Sequence, residues 1–154
     1  MKRILAAGFI GIGLLVSGCG GGGDSYSPAP APTPAPVPAG PAALQTTDSV
    51  VGVGAAATAG ATVTVNYTGW LYNASAANLH GTQFDTSIGK APFSFKLGAG
   101  QVIQGWDLGV VGMKVGGSRT LVIPSSLAYG SSGANGVIPP NTALVFNVDL
   151  LAVQ

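Results

Sequence analysis

The segment QVIQGWDLGVVGMKVG, from Gln101 to Gly116, sets a tryptophan between glycine-rich turns and carries only two ionisable side chains, Asp107 and Lys114. It holds no hydroxyl, thiol or imidazole to serve as nucleophile or proton carrier. A site built around Trp106 therefore works by shape and exclusion of water. Reactive groups are scarce elsewhere too. The chain has one cysteine, Cys19, and one histidine, His80. No Cys, His or carboxylate cluster has metal-site spacing, so neither a metal nor a cofactor is expected. Gly98 and Gly100 do not extend into a dinucleotide-binding fingerprint, and no P-loop pattern occurs.

The lone cysteine has a different use. MKR followed by ILAAGFIGIGLLV reads as the basic and apolar regions of a secretory signal, too short to span a bilayer as a stable helix. It ends in Val16-Ser17-Gly18-Cys19, the pattern of a bacterial lipobox, in which the cysteine receives a lipid and becomes the mature N-terminus. This gives a signal over residues 1–18 and a lipidated Cys19, with membrane attachment through the lipid and no thiol left for catalysis. Gly20, in place of an aspartate, favours the outer membrane by resemblance to enterobacterial lipoproteins. The expected location is therefore the cell envelope, facing the periplasm or the cell surface.

Residues 19–43 read as a linker: GGGG as flexible coil, then SYSPAPAPTPAPVPAGPAA as a semi-rigid polyproline II spacer. The chain has 154 residues, 47% of them hydrophobic, with 25 Gly and 11 Pro, enough for one modest domain after the linker. Without Lys2 and Arg3 of the signal, four basic residues face five acidic ones. That balance leaves no electrostatic footprint for nucleic acid.

The domain, residues 44–154, must then position Trp106. ATVTVNY alternates Val63, Val65 and Tyr67 with Thr62, Thr64 and Asn66, the period of a half-buried strand. PFSFKLG turns Phe93, Phe95 and Leu97 inward, and SRTLVIP supplies a further strand. ALVFNVDLL places Leu144, Phe146, Val148 and Leu150 on one face. VVGVGAAATAG is ambiguous, readable as an edge strand followed by a turn. Only Gln101 to Val111 reads as a helix. The result is an α+β domain, an antiparallel sheet wrapped around one short helix. His80 falls in LYNASAANLHGT, where it reads as a solvated loop residue. The Asn73-Ala74-Ser75 sequon in the same stretch reads as chance.

VNYTGWL, QFDTS, PFSFKLG, QVIQGWDLGVVGMKVGGSRTLVIP, LAYGSSG and VIPPNTALVFNVDLL occur in the order and spacing of one family. From Leu44 to Gln154 the chain resembles FKBP-type peptidyl-prolyl cis-trans isomerases, and LYNASAANLHGT looks like the longer loop of bacterial members. The resemblance implies a cavity with Tyr67, Asp85, Trp106, Tyr129 and Phe146 as its working residues and Phe84, Phe93, Val102, Ile103, Val137 and Ile138 as its substrate-binding lining. Trp106 forms the floor under the proline ring, and Gly105 is a close-packing position. Tyr129 donates its hydroxyl, and Ile103 its backbone N–H, to substrate carbonyls. Asp85 either interacts with the twisting carbonyl carbon or anchors Tyr67. Ala134 stands where some members carry a histidine in the loop after Ala-Tyr-Gly.

The implied partners are proline-containing polypeptides and macrolide inhibitors of the rapamycin type, bound by a monomer. Two functions fit: an isomerase acting on exported proteins, or a tethered binding module that uses the same groove without turnover. Retention of the five working residues favours the enzyme.

Overall fold

The computed structural model describes residues 40–154. The signal at 1–18, Cys19 and the linker up to residue 39 lie outside the described residues. Six strands form one antiparallel sheet: β1 (Gln45–Val50), β2 (Thr62–Tyr72), β3 (His80–Thr86), β4 (Phe93–Lys96), β5 (Ser118–Ile123) and β6 (Leu144–Val153). Their order is β1-β5-β6-β2-β3. β4 takes the other half of the β2 edge, pairing Thr62–Val65, while β3 pairs Thr68–Tyr72. Among the described residues there is one α-helix, α1, spanning Gln104–Gly109.

Side-chain alternation sets which face of the sheet is covered. On β6, Leu144, Phe146, Val148 and Leu150 are buried, whereas Asn147 and Asp149 are exposed. Val63 and Val65 of β2, Leu121 and Ile123 of β5, and Phe95 beside β2 join them against Trp106 and Val110. The helix approaches the sheet closely through two glycines one turn apart. A Cβ on Gly105 would strike the Ile123 side chain, and one on Gly109 would lie 2.7 Å from Leu121 Cδ2. The family resemblance anticipates the first of these contacts.

Three expectations change. The helix is shorter than Gln101–Val111, because Ile103 is extended (φ −62°, ψ 150°) and the helix begins after it. The edge strand reaches only the first residue of VVGVG: β1 ends at Val50, and the next residues follow the 112–117 turn. There Gly52 passes so near the Lys114 and Val115 carbonyls that no side chain fits. Finally, the LYNASAANLHGT stretch is strand at both ends, with a turn over residues 73–79 between them. β2 continues to Tyr72 and β3 starts at His80, with Tyr72 and His80 paired across the hairpin.

His80 is therefore a half-buried strand residue and not a solvated loop residue. Its ring stacks on Trp70, centroids 3.8 Å apart and 5° from parallel. Burial lowers its pKa from the usual 6.5, and Asn78 Nδ2 lies 3.1 Å from its Nδ1, positioned to donate to a neutral imidazole.

Arg119 ties the edge strand to the helix. It pairs with Asp48 of β1 and donates to the Gly109 and Val111 carbonyls at 2.8 and 3.1 Å, satisfying groups at the helix C-terminus. The hydrogen bond from Arg119 holds the Asp48 carboxyl below its usual range.

Candidate active site

The two charged residues around Trp106 serve structure. Asp107 accepts from the Gly98 and Gly100 N–H groups at 2.9 and 3.3 Å, closing the turn between β4 and α1. Lys114 bridges through its backbone to Ala56. Neither lines the cavity that Trp106 floors.

That cavity measures about 190 Å³ and is lined by Tyr67, Phe84, Asp85, Phe93, Gln101, Val102, Ile103, Trp106, Tyr129 and Phe146. Trp106 is 4% exposed. Tyr67 and Phe146 stand edge-on to its indole, at 5.1 Å and 84° and at 5.2 Å and 89°. Phe93 lies 6.2 Å away at 77°. Near-perpendicular packing is the arrangement that aromatic quadrupoles favour, so the rings hold one another in place. Trp106 Nε1 is buried without a hydrogen-bond partner among the described residues. With the rings of Tyr67, Phe93, Phe95 and Phe146 packed about the indole, the floor is apolar.

β2 brings Tyr67 to the site, and the next residue on the same face is Gly69. A Cβ there would come within 2.6 Å of Phe146 and 2.8 Å of Phe84. Gly69 is thus what lets those two rings close the wall, at 5.5 Å and 89° to each other. The sequence reading missed it, since a glycine inside an alternating strand signals a close approach without naming the partner. It also missed Gln101, whose Oε1 accepts the Lys96 N–H at 2.9 Å and fixes the rim.

Of the two roles weighed for Asp85, the contacts of the anchor are present in the fold. Its Oδ2 accepts from the Tyr67 hydroxyl at 2.6 Å and its Oδ1 from the Thr86 N–H at 2.8 Å. Asp85 anchors Tyr67 and the start of the next loop. Lys90 lies 3.7 Å from the same carboxylate, but that pair is exposed and contributes little. Burial first, and then the hydrogen bond to Asp85, push the Tyr67 pKa up. Burial and the Asp85 charge raise that of Tyr129. Both phenols hold their protons throughout the neutral range.

Two donors remain free. The Tyr129 side chain is 40% exposed, and its hydroxyl has no partner among the described residues. Ile103 accepts the Trp106 N–H through its carbonyl at 2.9 Å, while its own N–H has no partner among the described residues. Both residues line the cavity that Trp106 floors.

Val137 and Ile138 do not line this cavity. They line an adjoining one of about 250 Å³, with Phe84, Asp85, Tyr129, Ala134 and Asn135. Paired backbone bonds between Ala134 and Ile138, both 3.0 Å, close their loop into a tight bridge and hold it beside Tyr129. Val137 is 55% exposed. The two hollows adjoin at Phe84, Asp85 and Tyr129, which line both.

A sequence model of the FKBP-type peptidyl-prolyl cis-trans isomerases matches residues 54–151. The chain belongs to this family. Similar FKBP relatives include an FK506-binding protein of Neisseria meningitidis serogroup B, 53% identical over 95 residues that span 61% of this chain and 81% of that protein. FK506-binding protein 1B of Neurospora crassa is 47% identical over 105 residues, 68% and 93% of the two chains.

Among solved FKBP-type structures, the peptidyl-prolyl cis-trans isomerase of Pseudomonas syringae superposes with a TM-score of 0.62 at 37% identity, covering 72% of this chain and 75% of its own. FkpA from Escherichia coli gives 0.61 at 42% identity, covering 72% of this chain and 48% of its own. The antiparallel sheet with one short helix is thus an FKBP fold, and the family's activity is rotation about the X-Pro peptide bond.

Proposed function

We propose that this FKBP-type isomerase accelerates cis-trans rotation of X-Pro bonds during folding of exported proteins, from the cell envelope, where a lipid on Cys19 holds it in the outer membrane. The Pro-Ala linker spaces the domain from the bilayer, and the domain acts as a monomer. Rotation about an amide bond costs roughly 18–20 kcal/mol because resonance is lost in the twisted state. The planar amide is the more charge-separated form, so water stabilises it more than it stabilises the twisted one. A proline seated on Trp106, between Tyr67, Phe93 and Phe146, leaves that solvent behind and the barrier falls.

The Ile103 N–H and the Tyr129 hydroxyl hold flanking carbonyls, so rotation is confined to the bond over the floor. No proton needs to move. Macrolides of the FK506 and rapamycin type occupy the same hollow as competitors; the names of the relatives record binding of FK506. The observation that carries the reading is the ring of near-perpendicular aromatics around a buried indole, flanked by two unpaired donors.

The test has two parts. A prolyl-peptide turnover assay is run with and without a rapamycin-type macrolide, and loss of turnover on macrolide addition is expected. Metabolic fatty-acid labelling should mark the wild-type chain in the envelope fraction and miss Cys19→Ala. Labelling that persists in Cys19→Ala contradicts the anchor.

A further inference from the structure

Asn135-Gly136 forms the tip of the loop that walls the adjoining hollow, and it is the one place in the chain where glycine follows asparagine. Both residues are exposed and left-handed, φ 50° at Asn135 and 68° at Gly136, and the Val137 N–H donates to the Ala134 carbonyl at 3.0 Å. These are the features of a tight two-residue turn whose central positions suit Asn-Gly. Neither the Asn135 side-chain amide nor the Gly136 N–H has a hydrogen-bond partner among the described residues. We propose that Asn135 is a site of spontaneous covalent modification, deamidation by the Gly136 backbone nitrogen, which sets a second carboxylate in the hollow beside the active cavity. The chemistry stands on the turn alone; its effect on substrates rests on the isomerase reading above.

The reaction needs only water. The Gly136 nitrogen gives its proton to solvent base and attacks Asn135 Cγ; the new N–Cγ bond forms, the bond from Cγ to the side-chain nitrogen breaks, and that nitrogen takes up a proton and departs as ammonia. A cyclic imide remains, and water adds to one of its two carbonyls. Opening of the N–Cγ bond returns an aspartyl residue at position 135. Opening of the bond to the original main-chain carbonyl leaves an isoaspartyl link, in which the chain runs through the former side chain. In both products a neutral amide has become a carboxylate, and nothing is oxidised or reduced.

Glycine at position 136 is what singles this asparagine out. The attacking nitrogen reaches Cγ by rotation of the intervening backbone, and a Cβ on the following residue crowds that path, most of all when it is branched. The other asparagines precede Tyr67, Ala74, Leu79, Thr142 and Val148. Asn141 is the informative comparison: it too is exposed and left-handed, φ 56°, but the Thr142 that follows is buried and β-branched. Asn73 and Asn78 commit their side-chain oxygens to the N–H groups of Ser75 and His80, at 3.0 and 3.2 Å.

The new charge falls where the active cavity feels it. The adjoining hollow shares Phe84, Asp85 and Tyr129 with that cavity, and among the described residues Asp85 is the only carboxylate that lines it. Burial and then the Asp85 charge already raise the Tyr129 pKa. A second carboxylate strengthens that field, so the Tyr129 hydroxyl becomes a poorer donor to a substrate carbonyl, and basic side chains flanking the proline are favoured over acidic ones. Ageing of the molecule thus shifts its substrate preference without a modifying enzyme.

The mature chain carrying Cys19→Ser, incubated in heavy-oxygen water at mildly alkaline pH and then mapped by mass spectrometry, reports which asparagines have passed through an imide, since each conversion takes up a solvent oxygen. Label at position 135 is expected to accumulate at least about tenfold faster than at Asn73, Asn78 or Asn141. A rate at position 135 no higher than that at Asn141 would overturn the inference. Asn135→Asp supplies the aspartyl product directly, and aspartate tolerates the left-handed backbone. At low salt its kcat/KM for a Lys-Pro peptide relative to a Glu-Pro peptide should exceed the wild-type ratio by roughly threefold, a difference that shrinks in high salt. An unchanged ratio would overturn the effect on substrates. If wild type turns over neither peptide, the isomerase reading falls, and the oxygen label still decides the modification.

Discussion

The Tyr67 hydroxyl on β2 donates to the Asp85 carboxylate on β3 at 2.6 Å, and the Thr86 N–H occupies the other carboxylate oxygen. Among the described residues Asp85 is the only carboxylate lining the cavity, and these bonds use it to hold an aromatic wall in place. The bond adds a side-chain link to the ladder between β2, which carries Tyr67, and β3, which carries Phe84.

Removing the bond should cost stability more than chemistry. Tyr67→Phe keeps the ring and loses one hydrogen bond to a charged group that is partly exposed, a cost of about 1–2 kcal/mol. Urea unfolding should show a lower midpoint at unchanged slope. Because the folded-state pKa of Tyr67 is raised, the unfolded chain releases this proton first as pH climbs. Wild-type stability is then full below about pH 10 and falls above it. That alkaline decline should shrink in Tyr67→Phe; an unchanged decline would mean another group carries it.

Tyr129 is the converse case. Its hydroxyl has no partner among the described residues and its side chain is 40% exposed, so Tyr129→Phe should leave the unfolding midpoint within about 0.5 kcal/mol of wild type. Turnover of a prolyl peptide should fall roughly tenfold, the equivalent of about 1.4 kcal/mol for one hydrogen bond to the substrate. Full turnover in Tyr129→Phe would remove the hydroxyl from the mechanism.

The stack of His80 on Trp70 makes a local pH reporter remote from the cavity. Burial lowers the folded-state pKa of His80, so as pH falls the unfolded chain takes up the proton first. Stability is complete above about pH 6.5 and declines below it, towards the folded-state pKa. Trp70 emission should change over that acidic range in Trp106→Phe, which isolates the Trp70 signal. His80→Gln should abolish the change while keeping near-normal turnover in the Trp106-containing chain. An emission midpoint above 6.5 would contradict the burial of the imidazole.

The strands with strict alternation were legible because one face of each is covered. β6 shows it best, with Leu144, Phe146, Val148 and Leu150 buried in register. β3 was not legible: HGTQFDT has no apolar alternation, since it lies along the rim of the sheet, and only its pairing with Thr68–Tyr72 makes it a strand. The helix was overextended for a similar reason. Val102, Ile103, Val110 and Val111 continue an apolar pattern, while the backbone at Ile103 is extended and leaves its N–H free. For the site, family order supplied what periodicity could not, the assembly of Tyr67, Trp106, Tyr129 and Phe146 from four separate segments. Gly69 and the division between the two hollows depend on side-chain distances across strands, which a linear pattern does not contain.

The central claim is that the cavity lowers the rotational barrier by desolvation and carbonyl positioning, with no group that gains or loses a proton. Catalysed exchange of an Ala-Pro peptide, followed by NMR across about pH 6–8 without a coupling protease, tests it most directly. The account predicts a rate constant flat within about twofold, since Tyr67 and Tyr129 both keep their protons there and no acid-base pair is at work. A bell-shaped profile, or a step near pH 6.5 that disappears in His80→Gln, would contradict it.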